Sequence, residues 1–250
     1  MHRFYVPPER IRESKAWVRG DELRHLARVL RLETQDPVII FDGLGQEYQG
    51  VIISLTEEEA LVQVAQAVRL PRESPLAVWL VQGLPKGDKM EWIIQKTTEL
   101  GIRGIVPLEA SRSIVKLTGK KRLEREDRWR KVATEAAKQC RRALIPAIGH
   151  IQTLTLFLQN LPPDCLLVIP WEEGGRPLKK VLEEKGSGAV LPKTVYILIG
   201  PEGGLEESEV ALAQSYGGIP VTLGPRILRT ETAGLITAAL FLYQWGDLGG

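Results

Sequence analysis

Ile199-Gly-Pro-Glu-Gly-Gly204 and Leu223-Gly-Pro-Arg-Ile-Leu-Arg-Thr-Glu-Thr-Ala233 decide how the second half of this chain is read. Each follows an apolar, β-like run, Val195–Ile199 and Pro220–Leu223, and each breaks on Gly-Pro before a helical pattern. Glycine permits close backbone approach and unusual φ, while proline fixes φ and removes a donor. A strand ending in such a loop and continuing as a helix is half of a βαβ unit. Two of them, about one unit apart, put both loops at the C-terminal edge of a parallel sheet, where open α/β sheets bind ligands.

Outward from these loops, Leu76–Leu84, Ile105–Leu108 and Leu166–Pro170 read as further strands. Lys89–Leu100 reads as a helix closed by Gly101, and Arg125–Ala143 as a long polar helix. This alternation predicts an α/β domain with a largely parallel sheet over residues 75–250. Upstream, Val38–Phe41, Tyr48–Ile53 and Leu61–Ala65 are short strands between turns, which predicts a small barrel or meander over residues 1–70. Asp21–Leu32 reads as a helix with Leu23, Leu26, Val29, Leu30 and Leu32 at roughly helical spacing and Arg24, His25, Arg28 and Arg31 mainly on the remaining surface. Arg69–Pro75 is the expected linker.

Composition narrows the classes. With 44% hydrophobic and 26% charged residues, the 250-residue chain is an ordinary globular mixture with room for two cores. Its longest mostly apolar stretch, Ala233–Trp245, is too short to span a bilayer. The N-terminus lacks the apolar core of a signal peptide. Cys140 and Cys165 make neither a disulfide framework nor a metal-ligand pattern. The expectation is a cytoplasmic protein with no membrane partner and no metal. The net charge of +2 conceals a local excess, because Arg112–Arg142 holds twelve Lys or Arg against four Asp or Glu. A one-signed excess of that size predicts a phosphate-binding surface for RNA or DNA.

Neither Gly-rich loop fits G-x-G-x-x-G or the P-loop pattern, which disfavours a dinucleotide or a nucleoside triphosphate. Together with a third turn at Pro170-Trp171-Glu172, they predict a small-molecule pocket walled by Ile199, Leu205, Ile227 and Leu228.

The strings G-P-E-G-G-L and L-G-P-R-I-L-R-T-E-T resemble the cofactor motifs of the SPOUT methyltransferases. More narrowly, the chain resembles the ribosomal RNA small-subunit methyltransferase E family, which methylates N3 of a uridine in 16S rRNA. The resemblance extends to His25–Leu32, Phe41–Gly43, Lys86–Gly101, Ser111–Lys116 and Glu135–Arg142. Two positions depart from the family pattern: Ser111 stands where Glu is frequent, and Arg141 where Gly is usual.

The resemblance implies a SPOUT-type α/β methyltransferase domain with a deep C-terminal trefoil knot, a PUA-like β-barrel in front of it, and a homodimer. It implies bent S-adenosylmethionine on three loops, held by Pro170 and Glu172, by Ile199, Gly200, Pro201, Glu202 and Gly203, and by Leu223, Gly224, Ile227, Leu228 and Thr230. The implied partner is 16S rRNA, free or in the small ribosomal subunit. A SPOUT enzyme modifying a ribose 2′-hydroxyl or another base is the first alternative, and a non-catalytic RNA-binding assembly factor the second.

Uracil N3 becomes nucleophilic when its proton leaves, and negative charge then spreads onto O2 and O4. A guanidinium stabilises that charge through paired donors without giving up its own proton, which makes Arg229 the first catalytic candidate. Glu231 is either a base or a helix-start carboxylate favoured by the dipole. Glu202 is the other candidate base in the loops, and it is expected instead to hydrogen-bond its loop's backbone. Glu135, Gln139 and Arg142, at i, i+4 and i+7, are expected to share one helix face. From there Arg142 reaches the target nucleotide or a phosphate, or else forms an ion pair. Arg112 and Lys116 are expected phosphate contacts, His25 an RNA-facing surface residue, and Met90 and Trp92 core.

Overall fold

A computed structural model of the protein describes residues 1–68, 72–115, 117–188 and 191–250. Its contacts divide into two compact units, Met1–Glu73 with Thr134–Ile145, and Ser74–Ala133 with Pro146–Gly250.

The first unit is a six-stranded mixed sheet in the order β1-β4-β5-β6-β3-β2. The strands are β1 (His2–Tyr5), β2 (Ile11–Arg12), β3 (Lys15–Val18), β4 (Pro37–Phe41), β5 (Glu47–Leu55) and β6 (Ala60–Val64). Strands β4 to β6 answer to the alternating runs in the sequence. The other three carry weaker signals, and β1 pairs parallel to β4 across the intervening turns. Phe4, Val18, Leu26, Ile40, Ile52 and Val62 build the core.

The expected helix over Asp21–Leu32 is corrected. A single α-turn, α1 (Asp21–Arg24), runs into a π-helical turn over His25–Val29, with Leu30 N–H donating to the His25 carbonyl at 3.0 Å. Arg31 then takes a left-handed φ of +54°. The wider turn lets Leu26 stay in the core while Leu30 and Leu32 also pack against it, leaving Val29 exposed. One-turn π-bulges of this kind are uncommon and recur at functional sites.

The second unit is an all-parallel sheet in the order β10-β8-β7-β13-β11-β14-β12, with β9 also paired to β8. Its strands are β7 (Ala77–Gly83), β8 (Gly104–Glu109), β9 (Ala147–Ile148), β10 (Gln152–Thr153), β11 (Leu166–Pro170), β12 (Arg176–Pro177), β13 (Thr194–Ile199) and β14 (Ile219–Thr222). Central strands such as β8 and β13 are almost wholly buried, as expected when helices cover both faces. The helices are α2 (Lys89–Leu100), α3 (Gly119–Gln139), α4 (Leu154–Gln159), α5 (Leu178–Gly186), α6 (Glu207–Ser215) and α7 (Thr230–Trp245). Met90 is in the core as expected, but Trp92 is exposed.

Helix α3 starts and ends earlier than its pattern suggested. Arg141 adopts φ +63°, and the Arg142 N–H donates back to the Ala137 carbonyl at 2.9 Å. This is the 6→1 closure of a helix end whose left-handed position ordinarily belongs to glycine. The family's glycine, replaced here by Arg141, thus falls where the backbone asks for one. Residues Thr134–Ile145 group with the first unit, so the units do not follow a single linear boundary. No helix among the described residues is long and apolar enough to cross a membrane.

Candidate cofactor cleft

Strands β13, β11 and β14 are neighbours and parallel, so the loops that follow them open on one edge of the sheet. Strand β7 lies on the other side of β13. The loop after β13 is shaped by contact limits. A Cβ on Gly200 would lie 2.7 Å from the Gly204 carbonyl carbon, and one on Gly83 of β7 would lie 2.6 Å from the Pro201 nitrogen. Gly204 itself has φ +73°, with the Glu172 carboxylate against its α-carbon. These glycines answer to close approach and handedness.

Thr230, the first residue of α7, ties three elements together. Its hydroxyl donates to the Gly200 carbonyl at 2.6 Å and accepts from Gln82 Nε2 at 2.8 Å. Gln82, fully buried at the end of β7, also donates to the Gly83 carbonyl at 3.0 Å. The loop after β11 is held by the Trp171 N–H donating to the Val221 carbonyl at 3.0 Å. Arg112 Nη1 donates to the Gly203 carbonyl at 3.0 Å and braces the glycine loop from behind.

Between the loops lies a cleft of about 320 Å³, lined by twelve residues of the three loops and α7 together with Lys89 of α2. Pro170, Glu172, Ile199, Gly200, Pro201, Glu202, Ile227, Leu228, Arg229 and Thr230 are all in its wall, as are Gly204, Ala233 and Lys89, which sequence reasoning missed. A side chamber of about 110 Å³ adjoins it, with Leu223, Gly224 and Arg226 in its lining. Gly203 stays behind the wall, against Arg112. The cleft volume falls within the range of small-molecule sites. A larger hollow of about 840 Å³ lies at the opposite, N-terminal ends of β11 and β13, around Cys165 and Thr194. It has no Gly-Pro loop and sits at the wrong edge for a parallel sheet's ligand.

The charges of the cleft are organised around Lys89. Its Nζ lies 2.9 Å from Glu202 Oε1 and 3.4 Å from Glu231 Oε2. The hydrogen bond from Lys89 to Glu202 raises the proton affinity of the amine. Burial pushes Glu202 upward, but the bonds from Lys89 and from backbone N–H groups, including that of Lys86, outweigh it and hold the carboxyl below its usual range. Glu202 therefore fastens its loop to the start of α2, through Lys86 and Lys89. Arg229 caps α7 with its backbone alone. Its guanidinium is exposed and makes no hydrogen bond or ion pair with the described residues.

Other expected site residues lie elsewhere. Arg142 follows the end of α3 and is not on the face carrying Glu135 and Gln139. It is buried in the first unit, with Nη2 at 2.7 Å and Nε at 3.1 Å from Glu73 Oε2. The ion pair is the second of the two outcomes expected for Arg142. Arg24 pairs with Asp21, and His25 stands edge-on to Phe4. Arg28 and Arg31 are exposed and unpaired among the described residues. Lys116 lies outside the described residues. The basic excess of α3 is largely spent: Arg128 and Arg125 pair with Glu91, and Arg122 and Arg130 with Glu126. Among the described residues, no group of three or more His, Cys, Asp or Glu converges on a metal position.

Residues 72–242 match the model of an RNA methyltransferase domain, and residues 18–65 that of an RNA methyltransferase PUA domain. The chain is 35% identical over 255 residues to ribosomal RNA small subunit methyltransferase E of Bacillus subtilis, covering 100% of this chain and 99% of that protein. It is 33% identical to the enzyme of the same name from Synechocystis, covering 95% of this chain and 76% of the relative. A crystal structure of ribosomal RNA small subunit methyltransferase E from Neisseria gonorrhoeae, bound to S-adenosylmethionine, superposes with a TM-score of 0.87 at 31% identity, covering 99% of each chain.

Proposed function

The chain belongs to the ribosomal RNA small subunit methyltransferase E family, and on that premise we propose that it transfers a methyl group from S-adenosylmethionine to N3 of a uridine in 16S rRNA. The observation that carries this reading is the cleft at the parallel sheet's C-terminal edge, closed by Thr230 and rimmed by the unpaired guanidinium of Arg229.

The residues present suit that cofactor. Ile199, Gly200, Pro201, Glu202 and Gly204 line the cleft, with no side chain at Gly200 and Gly204, a close cradle for a heterocycle. Ile199, Ile227 and Leu228 supply apolar wall, and Ile227, 84% exposed, gains cover only from something bound against it. Glu172 and Glu202 complement a cation. When bound, S-adenosylmethionine supplies a methyl carbon on a positively charged sulfur, which departs as a neutral thioether. Arg229 offers its donors to the uracil oxygens that become negative as the N3 proton passes to solvent. Such preorganised donors are worth about 2.7–4 kcal/mol each when aimed at developing charge.

RNA enters over exposed cations whose side chains have no partner among the described residues: Lys86, Arg226 and Arg229 around the loops, and Lys121 and Lys131 on α3. Arg24, Arg28 and Arg31 provide a second basic edge on the PUA unit. The same reading includes a C-terminal trefoil knot, a cytoplasmic location and a homodimer. In support of the dimer, Ile236, Leu240 and Tyr243 recur at i, i+4 and i+7 on α7 and are all exposed. Incubation of unmethylated small subunits with labelled S-adenosylmethionine tests the activity: label in 16S rRNA supports it, and unlabelled RNA despite bound cofactor favours an assembly factor.

A further inference from the structure

Glu231 has two opposed readings, a base for the N3 proton or a structural carboxylate at a helix start. Its surroundings favour the second. Oε2 of Glu231 is closed to solvent and lies 3.4 Å from the Lys89 ammonium, with no other hydrogen-bond partner among the described residues. The same ammonium donates to Glu202 at 2.9 Å. Lys89 is the first residue of α2, a helix packed along α7. One cation thus bridges the glycine loop after β13 and the first turn of α7.

That first turn also carries Arg229. The Arg229 carbonyl accepts from the N–H groups of Thr232 and Ala233 at 2.9 and 2.8 Å, so its backbone is locked to the helix while its side chain is free. The turn is pinned at two adjacent residues, Thr230 on Gly200 and Glu231 on Lys89. We propose that Lys89 is a positioning residue for Arg229, and that Glu231 serves as the counter-ion through which it acts rather than as a general base. A base needs a lone pair within reach of the proton it removes. Here Oε2 is turned to a cation that already has a second carboxylate holding it in place.

The inference rests on the methyl-transfer reading, and the test separates the two. Lys89→Met, Glu231→Gln, the double variant and Lys89→Arg are compared with the unaltered protein for turnover on small-subunit RNA, for S-adenosylmethionine affinity by calorimetry, and for the pH dependence of turnover. Each single loss is expected to lower kcat about tenfold, and the double variant by no more than about threefold beyond that, because both remove one contact. Lys89→Arg, which keeps the charge, restores turnover to within about threefold and carries the test should Lys89→Met fold poorly. The acid limb of the pH profile persists in Glu231→Gln, and cofactor affinity stays within about threefold. Multiplicative losses in the double variant overturn the coupling. Loss of the acid limb in Glu231→Gln, with Lys89→Met nearly normal, makes Glu231 the base. If the unaltered protein neither binds the cofactor nor labels RNA, the parent reading fails and takes the inference with it.

Discussion

The Thr230 hydroxyl donates to the Gly200 carbonyl at 2.6 Å, joining the two Gly-Pro loops across thirty residues of chain. Because it also accepts from the buried Gln82 amide, its removal takes one partner each from the Gly200 carbonyl and the Gln82 amide. Thr230→Val is expected to cost about 1–3 kcal/mol of stability and to weaken S-adenosylmethionine binding, whereas Thr230→Ser keeps both. Urea unfolding and cofactor titration on the two variants check this.

Arg141 occupies a left-handed φ of +63° at the end of α3, with an exposed side chain. A residue with a Cβ pays about 1–2 kcal/mol there, offset in part by the greater freedom glycine has when unfolded. Arg141→Gly is therefore expected to stabilise the protein by about 0.5–1 kcal/mol, and Arg141→Val to destabilise it. Unfolding midpoints at constant slope are the readout.

Glu126 is fully buried on α3. It accepts from Ile151 N–H at 2.9 Å and from His150 Nδ1 at 2.7 Å. Burial pushes its proton affinity up, but the Ile151 and His150 bonds, aided by Arg122, prevail and hold the carboxyl below its usual range. A carboxylate so lowered contributes fully above its unfolded pKa of about 4.3 and loses that contribution as pH falls through the folded value. Glu126→Gln is expected to cost about 1.5–3 kcal/mol near neutrality. It should also flatten the loss of stability below about pH 4.5. Thermal unfolding from pH 7 to pH 3 measures both.

The strand–loop–helix units were legible because hydrophobic run, Gly-Pro break and helical period agree around Ile199 and Leu223. The cleft wall followed from them. What the pattern hid was long-range: Arg142 pairs with Glu73 across sixty-nine residues, and Lys89 reaches Glu202 and Glu231 across more than a hundred. Charge counting over Arg112–Arg142 likewise cannot see that Glu91, on another helix, absorbs Arg125 and Arg128. The π-turn after Arg24 escaped because its leucines satisfy helical spacing well enough until Leu30.

Arg229 separates binding from chemistry. Its side chain is exposed and makes no hydrogen bond or ion pair with the described residues, so Arg229→Ala should leave the fold unchanged. Turnover is expected to fall by about 100- to 1,000-fold, with S-adenosylmethionine affinity within about tenfold, or 1.4 kcal/mol. A far larger loss of affinity makes Arg229 a cofactor ligand instead. Single-turnover kinetics beside calorimetry make the distinction.

The most direct test of the whole account is the identity of the methylated nucleoside. Small subunits from cells lacking this methylation, treated with the protein and labelled S-adenosylmethionine, are digested to nucleosides and the labelled species is identified and mapped. The account predicts 3-methyluridine at a single position in 16S rRNA. A 2′-O-methylated ribose, or label on any other base, contradicts it.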